Sequence, residues 1–414
     1  MKLDRALGRH ARRLGRRDGA FAEELAKQVL RHRRFLDYQL AGVAKEPPEK
    51  LPPAVLDVLR LAAAELFFLR TPAYAAAAEA VAAVKGSRFA GLVPFVNGVL
   101  RALASRGAPA EPEGDAAERL AIKYSYPDWF ARRWLERLGP VEAEAFLAAQ
   151  NVPAPFNVYP NPARLSRSAL ADELAAEGCA VAEGPFGSLA VALGDTPLRE
   201  LRAFKAGRFA ILDPASTLAP RWLGAPEGAT AVDLCAGAGG KAVQLAWAVG
   251  PGGRVVAVDR DARKLRACAA AAARLGLANV ETRPGDVLQD ELPRADFFFL
   301  DAPCTNLGVI RRKPDIKWRV RAEDVAAAAG LEEAMLTRVL ETCPPGAAVA
   351  YNVCTLEPEE CEGVVARVLA RGSAAPLPCP EEEFGDACAG PYLRTWPHRH
   401  GCNGGFAAVL RKAS

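Results

Sequence analysis

ATAVDLCAGAGGKAVQLAWA, Ala229–Ala248, runs from an apolar β-type stretch through a glycine-rich turn into an alanine-rich helix. That succession is the opening of a parallel α/β sheet, in which each strand is followed by a covering helix. The pattern continues downstream. Arg254–Asp259 is expected as a second strand, Ala262–Leu275 as its helix, Val280–Arg283 as a third strand and Asp296–Leu300 as a fourth. A helix over Glu323–Thr342 leads to a fifth strand at Ala347–Val353, and a last strand is expected near Phe406–Leu410. The fold class is therefore α/β, a doubly wound, Rossmann-like core, and ligands of such sheets sit outside the carboxyl ends of the strands.

Chemistry-bearing residues fall at those strand ends. Cys235, Ala236, Gly237, Ala238, Gly239, Gly240 and Lys241 form the first turn, where glycines let backbone amides approach a ligand. Asp259 ends the second strand, placed to accept both hydroxyls of a ribose. The turn is not G-x-G-x-x-G, which disfavours a nicotinamide cofactor. Lys241 suits a cofactor carboxylate, as S-adenosyl-L-methionine would supply. Asp286, after the third strand, can accept from an adenine amino group.

The fourth strand breaks into FFFLDAPCTNLGVIRRKPDIKW, Phe297–Trp318, delivering Asp301 and Cys304 to the same edge. The fifth ends in YNVCT, delivering Cys354. A single cysteine is usually a small buried hydrophobe; two on neighbouring strand ends point to thiolate chemistry. Leu356–Glu360 reads as a helix start, which would set Cys354 near a helix N-terminus. Arg311, Arg312 and Lys313 are candidates for holding phosphates.

The remainder of the 414-residue chain points to a soluble multidomain protein. Residues from about Ala6 to Ala104 look wholly helical, with breaks at Pro47-Pro48, Pro52-Pro53 and Thr71-Pro72. Met1–Arg34 carries eleven Lys or Arg against four Asp or Glu, a balance of +7 that suits either phosphate backbones or a solvated helix face. Residues 108–115, around APAEPEG, form a linker. Residues 116–212 read as helices followed by a small α+β unit, taken together as one RNA-binding subdomain, and 213–414 as the α/β domain. No apolar run is long enough for a membrane span, and no secretory signal is present. Ten scattered cysteines read as reduced thiols. A cytoplasmic monomer is expected.

Two resemblances sharpen this reading. The helical module, with Thr71-Pro72 and its closing FVNGVLR (Phe95–Arg101), resembles the NusB-like RNA-binding domain, here residues 1–107. DAPCTNLGVIRRKPDIKW and YNVCTLEPEEC resemble the paired cysteine motifs of the RNA cytosine-C5 methyltransferases, nearest to the ribosomal RNA methyltransferase B branch. The resemblance implies a class I methyltransferase domain using S-adenosyl-L-methionine, with 16S ribosomal RNA as the partner. It implies that Cys354 attacks C6 of a flipped cytosine, that Asp301 binds the base edge and cofactor, and that Cys304 assists loss of the C5 proton. The cofactor set it implies is Cys235–Lys241, Asp259, Asp286 and Asp301.

The chain departs from the family pattern at Asn352, Val353 and Cys361, in FNVY at 156–159, and in Asn403-Gly404-Gly405-Phe406. These departures keep two alternatives open: a catalytically weak RNA-binding ribosome assembly factor, and a transfer-RNA methyltransferase. DNA cytosine methylation is disfavoured, because that chemistry would not need Cys354. A zinc site from Cys379, Cys388, His398, His400 and Cys402 fits no standard spacing, so no metal is expected.

Overall fold

The proline pairs that interrupt the N-terminal helical sequence act as helix starts. Pro53 opens the helix Pro53–Phe68, and Pro72 precedes Ala73–Lys85, because a proline fits the first turn where its missing N–H costs nothing. With Arg16–Ala41 and Val93–Arg106, which carries the FVNGVLR stretch, these helices bury Leu36, Leu59, Ala63, Val96 and Leu100 in one apolar core. The computed structural model describes residues 14–69, 71–194 and 196–413, so the first third of the basic N-terminal stretch lies outside the described residues. Within the described part, Arg31 is buried, Arg34 pairs with Asp128 at 2.6 Å, and Arg33 lies over the Trp318 ring.

The chain divides into two units, Met1–Val152 with Arg312–Arg319, and Pro153–Arg311 with Val320–Ser414. By contact the helices Ala116–Lys123 and Asp128–Asn151 fall in the first unit, whereas the sequence groups them with the α+β segment that follows. The contacts that draw them there are distant in sequence. Arg34 Nη1 donates to the Tyr126 carbonyl at 3.0 Å, beside its pair with Asp128. The Arg34 amide donates to Ser125 Oγ at 2.7 Å. Even the linker is tied down, since the buried Gln39 amide both donates to and accepts from the Ala110 backbone at 2.8 Å.

Arg312–Arg319 is the surprise in this unit. Lys317 is 2% exposed, and its Nζ faces the carbonyls of Arg31, Tyr124 and Ser125 and the Asn151 side-chain oxygen at 2.5–3.1 Å. It also sits 3.7 Å from the centre of the Tyr126 ring. Trp318 Nε1 donates to the Leu30 carbonyl at 2.6 Å.

The second unit opens with β1 (Phe156–Pro160), a helix (Arg167–Ala176), β2 (Ala180–Glu183), β3 (Leu189–Ala192), a short helix (Arg202–Lys205) and β4 (Phe209–Ile211). The strands pair antiparallel in the order β2-β3-β1-β4, the split βαβ arrangement of ferredoxin-like domains. The departing FNVY stretch is central strand β1: Val158 is in its core and Asn157 accepts from Ser188 Oγ at 3.1 Å.

Beyond it, β5 (Thr230–Leu234), β6 (Arg254–Asp259), β7 (Val280–Pro284), β8 (Phe297–Asp301) and β9 (Ala348–Val353) form a parallel sheet ordered β7-β6-β5-β8-β9. The strand order reverses between β5 and β8, which is where such sheets bind ligands. Alternation along β8 explains its burial on both faces. Phe298 and Leu300 pack with Val232, Leu336 and Val349, while Phe299 packs with Ala231, Val255 and Ala350.

The C-terminal end is richer than the single expected strand. β10 (Ala374–Pro376), β11 (Cys388–Ala389), β12 (Tyr392–Thr395) and the long β13 (Gly405–Lys412) add an antiparallel flank, with β13 against β9. Strands of two to four residues are too short to show a period. β11 and β12 pair beside a disulfide, Cys379–Cys388, with Cα atoms 5.8 Å apart. This corrects the reading of ten free thiols; the other eight cysteines are free among the described residues, and two of the five candidate zinc ligands are consumed. Among the described residues no helix is long and apolar enough to cross a membrane.

Replacing Lys317 with methionine leaves several buried carbonyls unpaired. It is expected to lower the unfolding free energy of the helical unit by about 3 kcal/mol, read by chemical denaturation.

Candidate active site

Three strand ends and two loops build the site, all within the second unit. After β5 the backbone turns sharply: Cys235, Gly237 and Gly239 all adopt positive φ (66°, 58° and 89°) before the helix Gly240–Val249. Position 239 admits only glycine, because a Cβ there would lie 2.5 Å from Cys268 Sγ. Burial, aided by Asp301, Asp233 and Asp259, pushes the Cys235 thiol up to about 12, so it is no nucleophile.

Asp259, at the end of β6, accepts from the Gly237 amide at 2.9 Å and the Asp261 amide at 2.8 Å. One oxygen takes each bond, so lone pairs remain for ribose hydroxyls. Asp286 caps its own turn through the Leu288 amide at 2.9 Å and meets Arg260 at 3.4 Å. A glycine-rich loop of small residues, flanked by carboxylates after three successive strands, fits a cationic adenosine cofactor. Asp233 was missed in the sequence: it is fully buried on β5, and burial, with Asp301 adding, holds its carboxyl well above the ordinary range.

Asp301 is the meeting point. Its Oδ2 accepts from Lys241 Nζ at 2.7 Å and its Oδ1 from Asn352 Nδ2 at 2.6 Å. Asp301 and Asn352 are register partners of the parallel β8–β9 pair, so Asn352, a departure from the family pattern, steadies the carboxylate next to it. Burial alone would lower the Lys241 pKa, but Asp301 beside it pushes it upward, and the ammonium stays charged.

The same strand pairing brings the two thiols together. Cys304 Sγ and Cys354 Sγ lie 3.3 Å apart, and Cys354 Sγ donates to Asn306 Oδ1 at 3.2 Å. Asn306 adopts the left-handed conformation, φ 63°, and its amide donates back to the Cys304 carbonyl. The expected helix beyond Cys354 begins later than the sequence suggested, at Glu362. Residues 357–361 are turns instead, so Cys354 faces Asn306 and Cys304 rather than helix amides. The hydrogen bond to Cys354, then burial, pushes the Cys304 pKa well above its ordinary value, so it rests as a thiol.

The loop after Cys304 is stitched to its surroundings. Gly308 donates to the Cys354 carbonyl and accepts from the Gly404 amide, both at 2.9 Å. A Cβ at Gly308 would fall 2.1 Å from the Gly404 carbonyl oxygen, so position 308 requires a bare backbone. Arg311 is 7% exposed and donates to the carbonyls of Gly401 and Cys402 at 2.6 and 3.1 Å. It is a strut of this loop, not a phosphate ligand. Arg312 and Lys313 belong to the first unit; Lys313 is exposed and Arg312 half-buried.

Behind the thiols lies a buried acidic cluster that sequence motifs did not mark. Glu360 accepts from the Thr305 amide at 2.7 Å, Thr305 Oγ1 at 2.6 Å and Thr355 Oγ1 at 3.1 Å. Glu332, from the helix Ala322–Thr342, accepts from Tyr351 OH at 3.1 Å. Burial, then the charge of Glu360, raises its pKa to about 9.

With this geometry described, comparison with known proteins is decisive. The family model for 16S rRNA methyltransferase RsmB/F matches residues 220–411, that for the NusB family 2–105, and that for the RsmF/B-like ferredoxin-like domain 126–197. Ribosomal RNA small subunit methyltransferase B of Thermus thermophilus is 36% identical, over 89% of this chain and 82% of its own. The probable ribosomal RNA small subunit methyltransferase B of Bacillus subtilis is 30% identical over 94% and 89%.

The chain belongs to the 16S rRNA methyltransferase RsmB/F family.

Its α/β core is a Rossmann-like methyltransferase domain, its N-terminal domain is NusB-like, and its cofactor is S-adenosylmethionine. Among solved structures, a methyltransferase homologue from Pyrococcus horikoshii is 26% identical with a TM-score of 0.62, over 72% of this chain and all of its own. PH0851 shares the fold over 96% of this chain and 91% of its own, at 23% identity and a TM-score of 0.78.

The raised pKa of Glu332 has a consequence for stability. An acid held protonated in the fold contributes fully below its unfolded pKa of 4.5, and that contribution is lost as pH rises through about 9. Glu332→Gln is therefore expected to flatten the decline in unfolding free energy between pH 5 and 9. For one proton that decline is at most about 1.4 kcal/mol for each step of one in pH. Denaturant titrations of both proteins at pH 5, 7 and 9 measure it.

Proposed function

We propose that the chain methylates C5 of a cytosine in small-subunit ribosomal RNA through a covalent adduct between Cys354 and C6 of the base. The observation that carries this reading is the pair of thiols 3.3 Å apart, at the ends of adjacent parallel strands and beside a fixed carboxylate. One thiol alone would suffice for packing or for nucleophilic attack. Two are needed when one atom must attack and another must handle the proton that leaves.

Cytosine C5 is too weak a nucleophile to take a methyl group unaided. Cys354, having given up its thiol proton to solvent, bonds as a thiolate to C6 of a base turned out of its stack, which pushes electron density onto C5. Asp301, held by Lys241 and Asn352, faces N3 and the exocyclic amine, where charge changes as the adduct forms. Bound S-adenosylmethionine supplies an electrophilic methyl group to C5. Cys304 then takes the C5 proton, the C5–C6 double bond re-forms, and Cys354 leaves as a thiolate. Asn306 orients the attacking sulfur through its side-chain oxygen. Lys313 and Arg312 are proposed RNA phosphate contacts, and the NusB-like unit a further RNA-binding surface.

Asn352 supports catalysis over a purely structural assembly role. A departure from the family pattern that nonetheless bonds the key carboxylate is what a working site requires.

Two experiments test the assignment. Bisulfite or mass-spectrometric mapping of 16S ribosomal RNA, with and without the protein, is expected to show one or more 5-methylcytosines that depend on it; an unchanged RNA contradicts the reading. Cys304→Ala is expected to accumulate a denaturant-stable protein–RNA adduct, and Cys354→Ala to form none and lose activity by about 10³-fold or more. The opposite pattern would exchange the two roles.

A further inference from the structure

Cys304 rests as a protonated thiol, and a thiol cannot accept a proton unless it passes one on. The structure offers a destination. Sγ of Cys304 and carboxylate oxygens of Glu332 and Glu360 all lie within 4.8 Å of one another, with both glutamates fully buried. Oε1 of Glu332 meets no N–H or hydroxyl donor among the described groups, and the Glu332 carboxyl is hydrogen-bonded to that of Glu360. Two buried carboxyl groups in contact are costly unless a proton is shared between them.

We propose that Glu360, backed by Glu332, is the terminal proton acceptor for the C5 proton, which reaches it through Cys304. The inference rests on the covalent C5 mechanism proposed above and deepens it. As the C5–H bond breaks, a new S–H bond forms on Cys304 and the thiol's original proton passes to a Glu360 oxygen. The C5–H electron pair closes the C5–C6 double bond, and the C6–S bond to Cys354 breaks with its electrons on sulfur. Cys304 is a thiol before and after. One proton is left on the glutamate pair, matching the one proton that methylation of a C–H bond releases, and it leaves to solvent on turnover.

The hydrogen-bond pattern divides the work between the two carboxyls. Burial raises the Glu360 pKa, and three donors, from the Thr305 amide and the Thr305 and Thr355 hydroxyls, work against that rise. Glu332 has one donor, Tyr351 OH, and its raised pKa keeps it protonated. The other titratable groups facing the cluster are Tyr351, Cys354 and Cys361, with burial also raising the Cys361 pKa. Glu360 acts through Cys304 and is a positioning and relay residue, not one that touches substrate.

The test follows adduct decay in a single turnover, using full-length protein, 16S ribosomal RNA and methyl-labelled S-adenosylmethionine. Glu360→Gln keeps the size of the side chain but cannot take a proton. It is expected to trap labelled, already methylated adduct, with release slowed about 10²-fold. Glu360→Asp, shorter but still a carboxylate, is expected to release faster than the glutamine variant; a merely structural role reverses that order. Release by Glu360→Gln at the wild-type rate overturns the relay but leaves the covalent mechanism standing, whereas no adduct in Cys304→Ala sinks the covalent mechanism itself. Should the Glu360 variants not fold, the wild-type protein decides. The relay moves an exchangeable S–H proton during release, so release in D2O is expected to be about twofold slower or more. Equal rates in H2O and D2O would overturn the relay.

Discussion

The carboxylate of Asp301 is where the second unit's chain segments converge. Lys241 reaches it from the first turn of the helix after β5, and Asn352 from the adjoining strand β9, at 2.7 and 2.6 Å. A partly buried carboxylate with one cation and one amide is held in position, which the proposed binding of a base edge would require. The glycine-rich turn, the strand order and the β8–β9 register can all be understood as conditions for that meeting. Loss of Lys241 would leave the carboxylate beside buried Asp233 without its counter-charge.

The same register places the thiols, and their electrostatics differ in kind. Cys304 is half-buried and shares its surroundings with Glu332 and Glu360, which disfavour a second negative charge. Cys354 points to the Asn306 amide oxygen. Two identical side chains a hydrogen bond apart thus have unequal surroundings, which suits the unequal roles proposed for them.

The parallel sheet was legible because strand, glycine turn and helix recur with strong periodicity, and Asp259, Asp301, Cys304 and Cys354 all fall at strand ends where chemistry was expected. Other features were not legible, for physical reasons. Glu332 lies on a 21-residue helix among alanines and other acids, and nothing local marks it as buried. Arg311 looked like a phosphate ligand because composition cannot say that its guanidinium faces two backbone carbonyls. Lys317 likewise reads as surface charge until its four oxygen partners are seen. The helices at 116–151 carry no signal for which unit they join by contact, since that is decided by partners distant in sequence, such as Arg34 with Ser125 and Asp128. The departure at Asn352 reads as a loss in the sequence, yet its amide bonds the Asp301 carboxylate.

The central claim is that the methyl group goes to C5 of cytosine and displaces the hydrogen there. Ribosomal RNA labelled with tritium at cytosine C5 reads that event directly, because replacing the hydrogen frees tritium into water. The account predicts one tritium released for each methyl group incorporated, with release dependent on S-adenosylmethionine and on Cys354. Methyl incorporation without tritium release would place the modification on another atom and contradict it.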